Sequence, residues 1–515
     1  MCYDQLQPES RELLWLIAYL HYDGIFEDMF RRAAQYMHSK YYPLPSTDLQ
    51  LQAQKSVTQT LSGFLAADGQ WDTVKFTQVM ADLTAYSLID FDRPNLTCRV
   101  HVLVHDWAKT MVLHARELAI ECAATVLLLS IDWEDDTESL AFKRQLVLHV
   151  TSALAHEPNL GTNYAYYFED VYYCTGQWKQ RAPLVEHLYN VFKHELGDDH
   201  QDTLVAMGSL ASNYSGSGQL NKALHIETQL LSARKRVLGK EHPHTLITMN
   251  NLAHTYSALG RYNEAEQLHT QVLNAYKRVL GEEHPDTLVS MNNLARAYSN
   301  LGRYNEAEQL QVQVLNAYKR VLGEEHPDTL ASMGNLAHTY SYLGRYNEAE
   351  QLNTQALNAR KGILGGKHPD TLKSMNNLAR AYSDLGRYNE AIQLHVQVLT
   401  ARQELLGDEH PDTLRSINDI ASTYSRLGRY TEAEQLQVKA LNARKRVLGE
   451  EHPDTLVSMN DLASTHSHFD RWDEAEELYN KVTSIAERKL GNQHPHTQKF
   501  HKDHEDMRAR RPTER

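Results

Sequence analysis

Residues 284–325 read HPDTLVSMNNLARAYSNLGRYNEAEQLQVQVLNAYKRVLGEE. Within them Leu288, Met291, Leu294, Ala295 and Tyr298 recur at the three/four spacing of one helix face. Pro285 suits a first helical position, where its missing N–H costs nothing. Asp286 then sits at the positive end of the helix dipole. Gly302 tolerates the left-handed conformation that stops a helix. Asn305, with Glu308 three residues on, predicts the cap of a second helix. That helix carries Ala307, Leu310, Val314, Leu315 and Tyr318 on its apolar face and ends at Gly323. The stretch predicts a helical hairpin, too small to bury its own apolar faces.

The stretch recurs. HPDT or a close variant begins at His242, His284, His326, His368, His410, His452 and His494, always 42 residues apart, and a weaker HQDT begins at His200. Residues 200–493 are therefore seven units of 42. Gly176 and Gly197 keep the phase, which predicts a degenerate unit over 158–199. Hairpins that cannot bury their faces alone stack on their neighbours, giving a quasi-one-dimensional superhelix. The last unit departs from the pattern at His466, Asp470 and Trp472, as expected of a terminal unit with one wet side. The charged segment 494–515 predicts one short capping helix and a tail.

Composition narrows the function classes. The chain has 515 residues and a formal net charge of −14, which argues against a nucleic-acid or membrane-surface binder, since both partners are polyanions. Cys2, Cys98, Cys122 and Cys174 lie far apart with no CxxC pair, so neither a disulfide framework nor a thiolate zinc site is expected. The first residues lack a secretory signal, and the most apolar stretch, 119–131, is too short to span a bilayer. A cytoplasmic protein is expected. The loop histidines recur one repeat apart, roughly 10 Å given helix packing distances, too far for two to share a metal. No metal and no cofactor are expected.

Before the repeats the pattern changes. Glu9–Tyr22 reads as an apolar helix, Ile25–Met37 as a second, 38–56 as an irregular connection, and Phe76–Ser87 as a third helix. Leu88–Asp92 and Arg99–Val104 then suggest a short hairpin, with helix resuming near His105. Three helices followed by a hairpin make a winged helix over residues 1–110, with linking helices over 111–157. The helix that would enter a DNA groove, FTQVMADLTAYSL, holds no Lys or Arg, so DNA binding is not expected. The predicted fold class is all-α: a winged-helix-like domain, then a right-handed solenoid of 42-residue hairpins over 158–493.

Leu294, Ala295, Tyr298, Gly302, Tyr304, Ala307 and Val314 resemble the tetratricopeptide repeat, and the 42-residue length with its LGxxHPDT linker resembles the kinesin-light-chain type. The resemblance implies that the first helices line a concave groove that holds ligand peptides. Mapped onto this chain, one inward position carries Asn250, Asn292, Asn376, Asn418 and Asn460, whose amides can grip an extended backbone. One turn on lie His254, Arg296, His338 and Arg380, with Lys373 and Arg415 facing the same way. The groove is thus expected to be cationic at its middle, with units 242–409 holding an acidic or phosphorylated peptide.

The N-terminal residues YDQL (3–6), LLWLIAYLHYDGI (13–25), EDMFRRAA (27–34) and LVHDWA (103–108) are similar to the winged-helix segment after the NB-ARC nucleotide-binding module in fungal STAND proteins with tetratricopeptide repeats. In that family the His-Asp pair senses bound ADP, and here it falls on His105 and Asp106. The reading preferred here is a strand-to-helix corner, because nothing matches GxxxxGK[ST], the loop that cradles phosphates. GILGGKH (362–368) lacks the metal-binding Ser/Thr, and LLLSID (127–132) has no phosphate loop to serve. No GxSxG or HExxH occurs. The chain start suggests a truncated paralogue or a shortened gene. The expected function is a non-catalytic protein-interaction scaffold derived from such a receptor, docking a nucleotide-binding module in trans. The alternatives are a kinesin-light-chain-like cargo adaptor, for which no heptad coiled coil is present, and a fragment of an ATPase whose nucleotide-binding half is missing.

Overall fold

The structure is a computed structural model and describes residues 5–111, 116–134, 136–157, 161–492 and 494–512. Cys2, Tyr3 and residues 513–515 of the tail, all read above, lie outside the described residues. By compactness the chain divides into residues 1–203 and 204–515. The division falls later than residue 158, so the degenerate hairpin groups with the first unit.

The first unit runs α1 (Pro8–Ile17), β1 (Ile25–Phe26), α2 (Glu27–Tyr36), α3 (Asp48–Ser62), α4 (Thr73–Ala85), β2 (Ile89–Asp92), β3 (Thr97–Val100), α5 (Val102–Met111), α6 (Arg116–Ser130), α7 (Thr137–His156), α8 (Thr162–Cys174) and α9 (Trp178–Leu196). The sheet order is β1-β3-β2, all antiparallel, with Ile25 opposite Cys98 and Ile89 opposite Val100. The hairpin read from the sequence is present, but its second strand is Thr97–Val100 rather than Arg99–Val104, and helix resumes at Val102 rather than near His105.

Two expectations are corrected. The helix read from Ile25 begins at Glu27, because the buried Ile25 and Phe26 pair with β3 as a strand. Residues 38–56 are not all irregular. Thr47 Oγ1 accepts the Gln50 N–H, and the Gln50 side chain accepts the Thr47 N–H, a reciprocal cap that starts α3. The helix shows few apolar residues, so its pattern is faint in the sequence. Residues read as linking helices do more than link: α6 is buried nearly all round and packs on α2 and α3.

From α10 (Gln201–Gly216) onward the hairpins alternate. First helices are α12 (Pro243–Ala258), α14 (Pro285–Asn300), α16 (Pro327–Tyr342), α18 (Pro369–Asp384), α20 (Pro411–Arg426) and α22 (Pro453–His468). Second helices are α11 (Leu220–Val237), α13 (Tyr262–Leu280), α15 (Tyr304–Val321), α17 (Tyr346–Leu364), α19 (Tyr388–Leu406), α21 (Tyr430–Val447) and α23 (Trp472–Lys489), and α24 (Pro495–Arg510) closes the stack.

Each HPxT proline is the first residue of its helix, and the preceding histidine is the cap: His284 Nδ1 accepts the Asp286 N–H at 3.2 Å. Gly302 takes φ +74° just past the helix end. The second-helix cap differs from expectation: Arg303 precedes Tyr304, Asn305 lies inside the helix, and no side chain caps it.

Leu273 of the preceding hairpin joins Leu288, Met291, Leu294, Val314 and Tyr318 in one cluster, so each core is completed by its neighbour. Successive first helices (α14 with α16, α16 with α18, α20 with α22) approach more closely than successive second helices do, which makes them the inner wall. His466, expected to face water, is instead buried and paired with Glu434, since α24 packs on α22 and α23. Asp470 keeps the lost glycine's conformation, with φ +57°.

The second unit also touches itself across a long loop of chain. His452 Nε2 lies 3.3 Å from the Gly216 carbonyl oxygen, and His494 Nε2 lies 2.7 Å from that of Ala258, both 236 residues apart. Since each Nδ1 accepts its own helix's N–H, each Nε2 carries the hydrogen and donates.

Candidate binding surface on the inner wall

On each first helix four positions share the inward stripe, spaced i, i+4, i+7 and i+11. On α14 they are Val289, Asn293, Arg296 and Asn300. The second position reads Asn251, Asn293, Asn335 and Asn377 along successive helices, each exposed or half-buried, and turns acidic at Asp419 and Asp461. This amide column lies one residue after the asparagines read from the sequence.

Those earlier asparagines sit about 100° round the helix and are engaged by neighbouring helices, of their own hairpin or of the next. His269 Nδ1–H donates to Asn250 Oδ1 at 3.2 Å, and His395 Nδ1–H donates to Asn376 Oδ1 at 2.8 Å. The Asn376 amide donates to Asp419 at 2.9 Å, that of Asn418 to Ser458 at 3.3 Å, and that of Asn460 to Asp503 at 2.7 Å. Asn292 is half-buried. The only sequence signal for the correct member of each Asn-Asn pair is the phase relative to Leu294 and Ala295, and a one-residue ambiguity there moves the whole column.

The third position carries His254, Arg296, His338 and Arg380 on successive first helices. Arg296 Nη2 lies 2.6 Å from His254 Nδ1. Burial pushes the His254 imidazole down to about 4, with Arg296 adding to the effect. Burial and the Arg380 charge lower His338 as well. At neutral pH the positive charge therefore resides on the arginines. Lys373 is exposed, while Arg415 is bound to Asp412 at 2.7 Å.

A cavity of about 360 Å³ spans three successive first helices, lined among others by His338, Tyr342, Arg380, Asp384, Asp419 and Arg426. Arg426 is neutralised by Asp384 at 3.0 Å, but no carboxylate of the described residues pairs with Arg380 or Arg296. The contrast with the outside is direct. There Arg303, Arg345 and Arg387 each hold two glutamates, for example Arg345 with Glu308 at 2.8 Å and Glu348 at 2.5 Å.

In the first unit His105 is buried, and its Nε2 donates to the Leu20 carbonyl at 2.9 Å, while Asp106 points out, with Nδ1 and Oδ1 4.0 Å apart. The corner reading, with Asp106 as the helix cap, is corrected: α5 already begins at Val102, so both residues lie inside the helix, and Asp106 faces Lys109 at 3.6 Å. Asp132 of LLLSID is buried against Arg32 and accepts the Ser139 hydroxyl. Among the described residues no cluster of three or more His, Cys, Asp or Glu could hold a metal, and no helix is long and apolar enough to cross a membrane.

Tetratricopeptide repeat models match residues 228–278, 244–320, 297–362 and 412–488 in one case, and 203–244 and 371–412 in another. No curated protein matches the chain. Among solved structures, the "putative kinesin light chain nearly identical TPR-like repeats" of Podosopora anserina are 35% identical, covering 40% of this chain and 98% of that one, with a TM-score of 0.34. BtubC from P. vanneervenii is 20% identical over 45% of this chain and 91% of its own, TM-score 0.36. A Signal Transduction ATPase with Numerous Domains carrying a tetratricopeptide repeat sensor, from Pyrococcus horikoshii, is 14% identical over 97% of this chain and 66% of its own, TM-score 0.37. Tetratricopeptide repeat models that together match residues 203–362 and 371–488, more than half of the sequence, make this chain a member of the tetratricopeptide repeat family.

Proposed function

We propose that the chain is a non-catalytic scaffold that holds an acidic or phosphorylated segment of another protein along the inner wall of its repeats. The observation that carries this reading is Arg380, which lines the inner-wall cavity, and the exposed Arg296 at the equivalent position two repeats earlier, neither with a carboxylate partner among the described residues, on a chain of net charge −14. Guanidiniums without a carboxylate partner, beside amides, are the chemistry that recognises carboxylate or phosphate on an extended backbone. The first unit serves as a docking module for a nucleotide-binding partner in trans. Its helix–strand–helix–hairpin order supports a winged-helix assignment, and the engaged His105 ring supports a structural rather than a nucleotide-sensing role. A cargo adaptor of the kinesin-light-chain kind is the second reading, favoured by the 35% identity over the repeats alone.

Affinity capture from native cell extract with the full chain tests the first reading. A protein retained by the wild type and lost by the Arg296→Ala/Arg380→Ala double variant is expected. Identical capture by both proteins rejects the charge model.

A further inference from the structure

The two contacts that join distant repeats are one contact made twice. His452 meets Gly216 and His494 meets Ala258, each member of the second pair lying 42 residues after its counterpart in the first. Pro453 presses on Gly218 and Pro495 on Gly260, so closely that a Cβ on either glycine would collide. Elsewhere the same edges stay open. Gly302, Gly344, Gly386 and Gly428 are exposed, and a Cβ there would meet nothing within 4 Å. His284, His326 and His368 use Nδ1 as a cap, and their Nε2 has no partner among the described residues.

The first of these seams has residues of its own. Where later hairpins carry Glu264, Glu306, Glu348, Glu390 and Glu432, the α10–α11 hairpin carries Lys222. Lys222 lines one cavity of about 480 Å³ with Glu450 and Glu451, which a glutamate in its place would repel. Gly216 stands where later hairpins carry Ala258, Asn300, Tyr342, Asp384 and Arg426, and so leaves bare the carbonyl that His452 reaches.

Each seam depends on a neutral imidazole. His452 Nδ1 accepts the Asp454 N–H at 3.1 Å while Nε2–H donates across the seam, and His494 Nδ1 accepts the His496 N–H at 3.1 Å in the same way. A proton on Nδ1 would set two hydrogens against each other, turning the ring from its cap and drawing Nε2 off the carbonyl. Burial lowers His452, with Asp454 and the Gly216 carbonyl opposing and Arg444 adding to it; Lys222, Glu450, Glu451 and Lys489 line the cavity beside the ring. Burial also lowers His494 against the pull of the Ala258 carbonyl. Its neighbour His496 is lowered by burial, His494 and Lys499, with Asp454 opposing. An open seam returns both rings to water and to a value of about 6.5, so closure is fully supported above that pH and weakens as pH falls below it. Two hydrogen bonds and two proline contacts make a thin joint beside the hairpin cores, so it parts first.

We propose that the two seams are a clasp that opens on mild acidification, freeing α22–α24 from the ends of α10 and α12 and letting the closed turn of the spiral uncoil, with His452 and His494 as its proton-sensitive members.

Small-angle scattering on the full chain, with far-UV circular dichroism on the same samples, tests the clasp. The wild type should expand by roughly a tenth in radius of gyration between about pH 7 and about pH 5, reversibly and with helicity unchanged. Asparagine keeps a helix cap but cannot titrate and lacks the far ring nitrogen. His452→Asn/His494→Asn should therefore be expanded already at neutral pH and show no transition. His284→Asn/His326→Asn, the same change on repeats without a seam, should follow the wild type. Lys222→Glu should move the transition to higher pH. A wild-type radius constant over this range, or expansion only with loss of helix, overturns the clasp. So does a seam variant as compact as the wild type at neutral pH, or an equal loss of the transition in both double variants. Should the seam variant lose helix, Lys222→Glu, which touches no cap, decides: an unshifted transition overturns the proposal.

Discussion

Arg345 Nη1 reaches back 2.8 Å to Glu308 of the preceding repeat while its guanidinium lies 4.1 Å from the centre of the Tyr340 ring. The same staple joins Arg303 to Glu266, Arg387 to Glu350 and Arg471 to Glu434. It fails at Arg429, which holds only Glu432, because the position 37 residues earlier is Ile392. Ile392→Glu should restore the staple and raise Tm slightly. These groups are solvent-exposed, so the gain should fade at 1 M salt, where screening is nearly complete. Thermal melts at low and high salt read this directly.

A second pair of positions varies together inside the hairpins. Arg360 Nη1 donates to Ser374 Oγ at 2.7 Å and to the Asp370 carbonyl at 3.2 Å, and Arg234, Arg402 and Arg444 do the same with Thr248, Ser416 and Ser458. Where tyrosine stands instead, at Tyr276 and Tyr318, the hydroxyls of Ser290 and Ser332 are buried without a partner. Ser374→Ala should therefore cost about 1–3 kcal/mol by stranding a buried donor, whereas Ser332→Ala should be neutral or stabilising. Denaturation midpoints of the two variants, measured side by side, check the asymmetry.

The contact between distant repeats predicts unequal costs at equivalent glycines. Gly260 and Gly302 have φ +73° and +74°, so alanine pays the same backbone penalty at both. A Cβ at Gly260 would lie 2.2 Å from Pro495 Cδ, but one at Gly302 meets nothing within 4 Å. Gly260→Ala should lose about 1–3 kcal/mol more than Gly302→Ala, the range for overpacking. His494→Ala removes the donor to Ala258 at the same place and should enlarge the radius of gyration measured by small-angle scattering.

Glu227 is buried on α11 with Oε2 unpartnered, and burial pushes its carboxyl up to about 7 despite a hydrogen bond from Thr255. A folded-state value above the unfolded one means the folded protein prefers the neutral acid. Its contribution is complete below about pH 4.5 and is lost as pH rises through 7, by roughly 3 kcal/mol at most. Glu227→Gln should leave stability unchanged near pH 4 and exceed the wild type increasingly up to pH 7, with a constant margin above. A pH series of chemical melts measures the window.

What the sequence alone determined is the local machinery of the hairpins. Proline at the first helical position, glycine beyond the helix end and leucines at the three/four spacing act within a few residues, and repetition every 42 residues multiplies one small inference into most of the fold. The placement of Arg296 and Arg380 at one equivalent position of the first helices follows from the same period. Only the tertiary structure decided that Asn251 rather than Asn250 faces the groove, since neighbouring residues differ by 100° and the angle between packed helices sets which one turns inward. It also decided that Ile25 and Phe26 join a strand with residues more than seventy positions later, and that His494 reaches back 236 residues to Ala258. Such contacts depend on where distant backbone arrives in space, and no local pattern of side chains encodes that position.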